Sequence, residues 1–396
     1  MGVRHFLLCL TAACVTILPV TKVYGGDWSL TATATENLEF NDNIEQAIDS
    51  SGNTYGSTTN LTTDLALLSP TLTMNFLTDL DFRRYAGPGG DDSLDTFNQN
   101  YEAGLIKKFE SLEFNLSGVF GIQSTTFSEV ESLGVLNPAL ITEDSRRLSF
   151  STDTGVNYEI NSRLSATLSG ELQYVDFTDG SSVLSPFLDI GISGSLIRKL
   201  SERANLSLSG NVNRFSTRGT NRTTSDTFAL DTELSYRFSP RFSTRTSIGA
   251  SLVNTETNST SGTASSSSSL VGSYDIEVDY QPTQTTQLSF GMSQSTEPSS
   301  LGELQLLSRV FAGIDHTINS RTSVSLSVSA GSVSPLSGDS DDATLFLSVS
   351  PSYSNQLSRL WQFSAGYDFS IQDQSAGNSF SNRVFVSMSR QLTIQP

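Results

Sequence analysis

The sequence predicts an all-β fold, a closed antiparallel transmembrane β-barrel of about eighteen strands, with sixteen as the alternative count, short periplasmic turns and longer extracellular loops. Three observations predict it. Past residue 26, apolar residues alternate with Ser, Thr, Asn and Gln over runs of about 10 to 12 positions, the period of a strand with one apolar face rather than of a helix. The connections between runs alternate between tight and long. The apolar content is 36% beside 67 serines, too little to fill a compact soluble core of this length, so another apolar phase must cover the apolar faces.

In chain order, the first run is 27–38, where Trp28, Leu30, Ala32 and Ala34 share one face. Runs at 64–75 and 78–86 follow, with a change of apolar phase near Ser69-Pro70 that suggests a bulge. Next come 96–109 and 112–125, the latter with Leu112, Phe114, Leu116 and Phe120 on one face, then 146–160 and 163–176, where Leu164, Ala166, Leu168 and Leu172 align. The middle of the chain supplies 186–197, 203–215, 226–238, 241–253 and 270–281. The last third supplies 284–295, 306–318, 321–333, 343–357, 359–372 and 382–394. An apolar face of about ten residues suits a tilted strand crossing a bilayer core. Aromatic residues gather toward run ends, Tyr158, Tyr236, Phe242, Tyr280, Tyr353 and Trp361 at the tight turns and Phe120, Tyr174, Phe228 and Phe369 at the long connections. Amphipathic rings prefer those two membrane interfaces.

The predicted organisation is a signal peptide over 1–25 and a single barrel over 26–396. Arg4 and His5 precede an apolar stretch that reaches Val20, and Val23-Tyr24-Gly25 offers a cleavage site. That stretch is too short for a spanning helix, and none is expected later in the chain. The formal charge is −18, and it becomes −20 over 26–396 because Arg4 and Lys22 are the only charged residues before Gly26. A nucleic-acid binder working through a basic surface is thereby excluded. Cys9 and Cys14 both fall in the leader, which leaves no thiol and only the His316 imidazole behind it. Disulfides, zinc and iron–sulfur sites and thiol nucleophiles are therefore not expected. With no phosphate-cradling glycine loop either, the sequence predicts no enzyme, no catalytic residue, no metal ligand and no cofactor.

The face opposite the apolar one would line a lumen. Asp231, Glu233, Asp275, Glu277 and Asp279, with Arg237 and Arg245, fall in that phase, as do Asp153, Glu159, Glu171, Asp189, Asp315, Asp368, Arg163, Arg309 and Arg383. Eighteen strands leave a bore too wide for side chains to fill. One reading is a hydrated conduit whose acidic excess prefers cations; the other is a lumen closed by paired charges and by inward loops such as 126–145 and 254–269, with Ser265 to Ser269 a flexible tract. At the tight end, Tyr158 to Arg163, Tyr236 to Arg241 and His316 to Arg321 form a weak repeat of one hairpin, and Arg203 and Arg359 occupy equivalent turns. These five arginines, Arg163, Arg203, Arg241, Arg321 and Arg359, are either a periplasmic rim gripping lipid phosphates or solvated turn residues.

The segment Glu36-Asn37-Leu38-Glu39-Phe40-Asn41-Asp42-Asn43-Ile44, after a Trp-led first run, resembles the opening of outer-membrane β-barrel porins associated with exopolysaccharide export and exosortase-type systems. Ser69-Pro70-Thr71-Leu72 and the arginine hairpin turns are similar too, so the resemblance covers most of 27–394. The chain departs from common barrel usage by ending on Leu392 and Ile394 where an aromatic residue is usual. The resemblance implies a terminal conduit for exopolysaccharide in the outer membrane of a Gram-negative-type bacterium. Its cargo would be a polysaccharide, and a periplasmic polysaccharide-export component would dock at the rim around Arg163, Arg241 and Arg321. The alternatives are a general or cation-preferring diffusion porin and a non-conducting structural or adhesive surface barrel. Outer-membrane lipids and the barrel assembly machinery are the remaining expected partners.

Overall fold

The computed structural model describes residues 27–50, 52–89, 95–125, 145–178, 184–218, 221–259, 264–336, 343–374 and 377–395. The expected signal peptide at 1–25 and the connection 126–144 lie outside the described residues. The strands are β1 (Asp27–Asn41), β2 (Thr54–Leu68), β3 (Leu72–Ala86), β4 (Thr96–Lys108), β5 (Leu112–Ser124), β6 (Arg146–Asn161), β7 (Leu164–Phe177), β8 (Phe187–Ser201) and β9 (Ala204–Thr217). They continue as β10 (Asn221–Ser239), β11 (Phe242–Ser259), β12 (Ala264–Thr283), β13 (Thr286–Pro298), β14 (Leu304–Asn319), β15 (Thr322–Pro335), β16 (Thr344–Gln356), β17 (Trp361–Gln374) and β18 (Gly377–Ile394). Each pairs antiparallel with its sequence neighbours, and β1 pairs with β18 from Leu30↔Ile394 to Asn41↔Arg383. The sheet of eighteen strands therefore closes on itself and leaves no edge strand exposed at the seam.

Alternation decides which face turns outward. Cross-strand register aligns apolar residues in rows such as Phe228–Leu252–Leu270. Leu230, Ile248 and Leu270 on this outer face are 60%, 65% and 78% exposed, an apolar surface that water alone does not favour. The aromatic residues at the tight end pack on one another across β10 to β12. Tyr236 meets Phe238 edge-on at 4.5 Å, Phe238 lies 4.9 Å from Phe242, and Phe242 lies 6.0 Å from Tyr280.

The second and third strands differ from expectation. They run 54–68 and 72–86, so Ser69-Pro70 is a turn rather than a bulge, closed by the Ser69 N–H donating to the Leu72 carbonyl at 2.8 Å. The reason is local: the outer positions Ser57, Thr59 and Thr63 are polar, which hides the first half of β2 from any search for apolar alternation. The expected loop 254–269 is also mostly strand. Ser265 to Ser269 pair in register with Thr257 to Val253, because the backbone ladder continues along a ribbon with little apolar surface of its own. The connections between β9 and β10, β11 and β12, and β17 and β18 shrink to 218–220, 260–263 and 375–376.

The tight turns explain the arginine repeat. Asn161 and Asn319 accept through Oδ1 from the backbone N–H of Arg163 and Arg321 at 2.9 Å each, and Ser201 and Ser239 accept through Oγ from Arg203 at 3.1 Å and Arg241 at 3.2 Å. A short polar side chain thus completes a turn two residues on, and a register shift precedes each of these turns. Arg359 is not equivalent: its turn spans 357–360, and there the Ser358 hydroxyl accepts from Leu360 and Trp361.

Candidate functional site: the barrel interior

Register places all seven sequence-predicted lumen residues on the inner face of three adjacent strands. Asp231, Glu233 and Arg237 lie on β10, Arg245 on β11, and Asp275, Glu277 and Asp279 on β12. Arg245 sits between two carboxylates, 3.3 Å from Glu277 and 3.7 Å from Glu233. Asp231 accepts from the Ser273 hydroxyl at 2.8 Å. Five carboxylates against two guanidinium groups make this panel a region of negative potential. Among the described residues, no group of three or more His, Cys, Asp and Glu side chains is arranged to hold a metal ion. His316 faces outward and shares a 3.0 Å hydrogen bond with the Thr286 hydroxyl through Nδ1.

Arg163 belongs to a turn and not to the wall, since β6 ends at Asn161 and β7 begins at Leu164. It is exposed at the tight end together with Arg203, Arg241, Arg321 and Arg359. The inner face also carries charges that sequence reasoning missed, among them Glu39, Asp79, Asp81, Arg83 and Glu102 on β1, β3 and β4. The runs expected at 64–75 and 78–86 hid the phase of the β3 charges, and Glu39 lay past the end of the run expected at 27–38. Arg383 bridges two of the inner acids, 2.6 Å from Asp368 and 3.4 Å from Glu39.

Opposite in chemistry to the acidic panel is a stretch of wall on β15 to β18. Ser325 and Ser352 share a hydrogen bond at 2.6 Å, as do Ser329 and Ser348 at 2.7 Å. Ser364, Ser370, Ser387 and Ser389 continue the same face. Inner aromatic rings lie flat here and on the adjoining strands β13 and β14. Phe311 covers Gly291, Phe346 covers Gly331 and Phe385 covers Gly366, positions where a Cβ would strike the ring. The glycines let these rings hug the wall, so they do not project into the bore.

Among the described residues, the loop end is narrowed from two sides by connections other than the expected 254–269, and 126–144 lies outside the described residues. The first is 42–53, built on the Asn-Asp-Asn-Ile motif. Asp42 accepts from the Asn382 backbone N–H and side-chain amide at 2.7 Å each; Asn43 donates to the carbonyls of Ala47 and Phe380 at 2.8 Å each. Ile44 is buried against Tyr85. The motif therefore ties the first connection to the last strand at the barrel seam. The second is 299–303, which reaches toward β8: the Ser185 N–H donates to the Ser300 carbonyl at 2.8 Å, and Gly302 packs against Ser185 and Thr217. Beneath it Val175, Phe187, Phe215, Val253, Val271 and Leu304 form a buried apolar cluster. Nothing in the sequence marked 299–303, because its partners lie far away along the chain. Among the described residues, the tight end carries short turns.

No protein-family model matches the chain, and no curated protein matches it in sequence. In structure it is similar to the FrpB iron transporter from Neisseria meningitidis (F3-3 variant), at 10% identity and a TM-score of 0.50, covering 88% of this chain and 62% of that one. The chain thus spans less than two thirds of that transporter's length. It is similar to the ferric citrate transporter FecA in its unliganded form at 9% identity and a TM-score of 0.50, covering 92% and 79% of the two chains. The outer membrane channel DcaP of Acinetobacter baumannii aligns at 13% identity and a TM-score of 0.47, covering 93% and 98%. Identities this low carry the fold alone, the closed antiparallel barrel of outer-membrane channels and transporters.

Proposed function

We propose that the chain is an outer-membrane channel serving as the terminal conduit for an exported exopolysaccharide, in a Gram-negative-type bacterium and after removal of residues 1–25. The observation that carries the reading is the inner wall of β15 to β18, a serine surface interleaved with flattened rings. Serine hydroxyls exchange hydrogen bonds with sugar hydroxyls at little net cost, because water and wall compete on similar terms. The half-buried ring face of Phe385 adds apolar contact without grip. A polymer chain can slide along such a surface. The narrowed loop end supports passage of one extended chain at a time, and the tight end supports entry from the periplasm. There a polysaccharide-export component would dock around Arg163, Arg241 and Arg321, whose exposed guanidinium groups offer a cationic rim.

A cation-preferring diffusion porin is the second reading, favoured by Asp231, Glu233, Asp275, Glu277 and Asp279 on one panel. A clean deletion separates the two. Loss of surface polysaccharide with unchanged uptake of small solutes is expected for the conduit. Intact polysaccharide with slowed uptake of hydrophilic solutes would favour the porin, and neither change, with no conductance in planar bilayers, would leave the structural or adhesive barrel.

A further inference from the structure

We propose that the wall is open sideways between β12 and β13 near the loop end, forming a lateral passage through which the alkyl chain of an amphiphile with a non-anionic head reaches the barrel interior from the outer leaflet. The β12–β13 ladder stops at Tyr274↔Gln294, although β12 continues upward to Ala264 and β13 to Pro298. Four further register steps, from Ser273 opposite Ser295 to Leu270 opposite Pro298, are available but unpaired through the backbone, a stretch about 13 Å tall at the usual rise of a strand. β13 instead keeps its pairing with β14 up to Pro298↔Leu304, so the tip of that hairpin has left the wall and folded inward with 299–303. Gln294 closes the base of the split: its side chain donates to the Gly272 carbonyl at 2.7 Å and accepts from the Ser308 hydroxyl at 3.1 Å.

Two features say what fits the split. On the outside, Leu270 on its edge stands in the apolar row with Leu252 and Phe228, which puts the opening at the level of lipid chains, and a Cβ built on Gly272 meets nothing within 4 Å. Inside, Val271 on the β12 edge of the split and Leu304, which pairs with Pro298 from β14, belong to the same buried apolar cluster, so apolar surface continues from the lipid face into the barrel. An alkyl chain following that path stays in contact with apolar atoms throughout. The polar groups beside it, Glu297 accepting from Ser295 at 3.0 Å and Asp231 accepting from Ser273, repel an anionic head.

The passage is tested by lipid photolabelling, which reads neither export nor conductance, so its failure is distinct from failure of the conduit reading. Wild-type barrel is reconstituted in phosphatidylcholine vesicles holding a trace of phosphatidylcholine with a diazirine near the end of one acyl chain. After irradiation, peptide mass spectrometry is expected to find label on inner Val271 and Leu304 as well as on outer Leu252, and none on inner Ser329 of the closed wall. Label confined to outward residues would overturn the proposal. In a second arm, Ser273→Cys with Ser295→Cys is oxidised in a chain whose residues 26–396 otherwise lack cysteine. Joining the two edges should lower the label on Val271 and Leu304 to that of Ser329 and leave Leu252 labelled. Undiminished label on Val271 after complete cross-linking would also overturn it.

Discussion

Asp42 carries the clearest consequence of a single side chain. Its two oxygens take both donors of Asn382, whose own Oδ1 accepts from the Tyr367 hydroxyl at 2.6 Å, so one carboxylate couples the first connection to β17 and β18. Asp42→Ala should cost about 1–3 kcal/mol, the usual range for losing charge-assisted hydrogen bonds. The checking measurement is the temperature at which the folded band converts to the unfolded one in detergent gels. Asp49→Ala, an exposed acid of the same connection, should leave that temperature unchanged. Gly366 is a second test at this scale. A methyl group there meets the far edge of the Phe385 ring, which must swing off the wall. Gly366→Ala is therefore expected to lower single-channel conductance while the gel temperature falls only slightly, and an unaltered conductance would contradict the flattened-ring account. The motif around Asp42 was visible in the sequence as a resemblance, but its role as a seam latch was not, because Asn382 stands some 340 positions away.

At the scale of the strand, the acidic panel on β10 to β12 is where local pattern and long-range placement agree. Period-two spacing put Asp275, Glu277 and Asp279 on one face, and register set Arg245 between Glu233 and Glu277. Changing the three β12 acids to their amides should move the reversal potential under a salt gradient toward zero, with the sign of reduced cation preference. Replacing three exposed acids of the connections, Asp49 among them, should move it less. An anion-selective wild type would refute the electrostatic reading of the panel. The same scale shows why β2 escaped the sequence. Thr54 to Thr63 hold few apolar side chains, and their strand exists because β1 and β3 supply partners from Asp27↔Leu68 to Asn41↔Thr54 and from Tyr55↔Ala86 to Leu68↔Thr73. The arginine hairpins were legible for the opposite reason, since Asn or Ser two residues before Arg satisfies the turn by itself.

For the whole molecule, closure of β1 on β18 predicts a protein that survives detergent folded and migrates faster unheated than boiled. It should fractionate with outer membranes and give a circular dichroism spectrum dominated by strand. Recovery in the soluble periplasm, or a large helical signal, would contradict the proposed membrane placement. By itself the sequence determined the all-β class, a strand count near eighteen and the alternating faces of most strands, β2 and β3 excepted. These follow from period-two alternation and turn chemistry, which act over a few residues and need no knowledge of distant partners. The tertiary structure alone decided the seam latch at Asn382, the inward fold of 299–303 against Ser185, and the split above Tyr274↔Gln294. The first two depend on which distant strands are brought together when the ring of eighteen strands closes, and the split follows from the inward fold of the β13–β14 hairpin, constraints no local stretch of sequence contains.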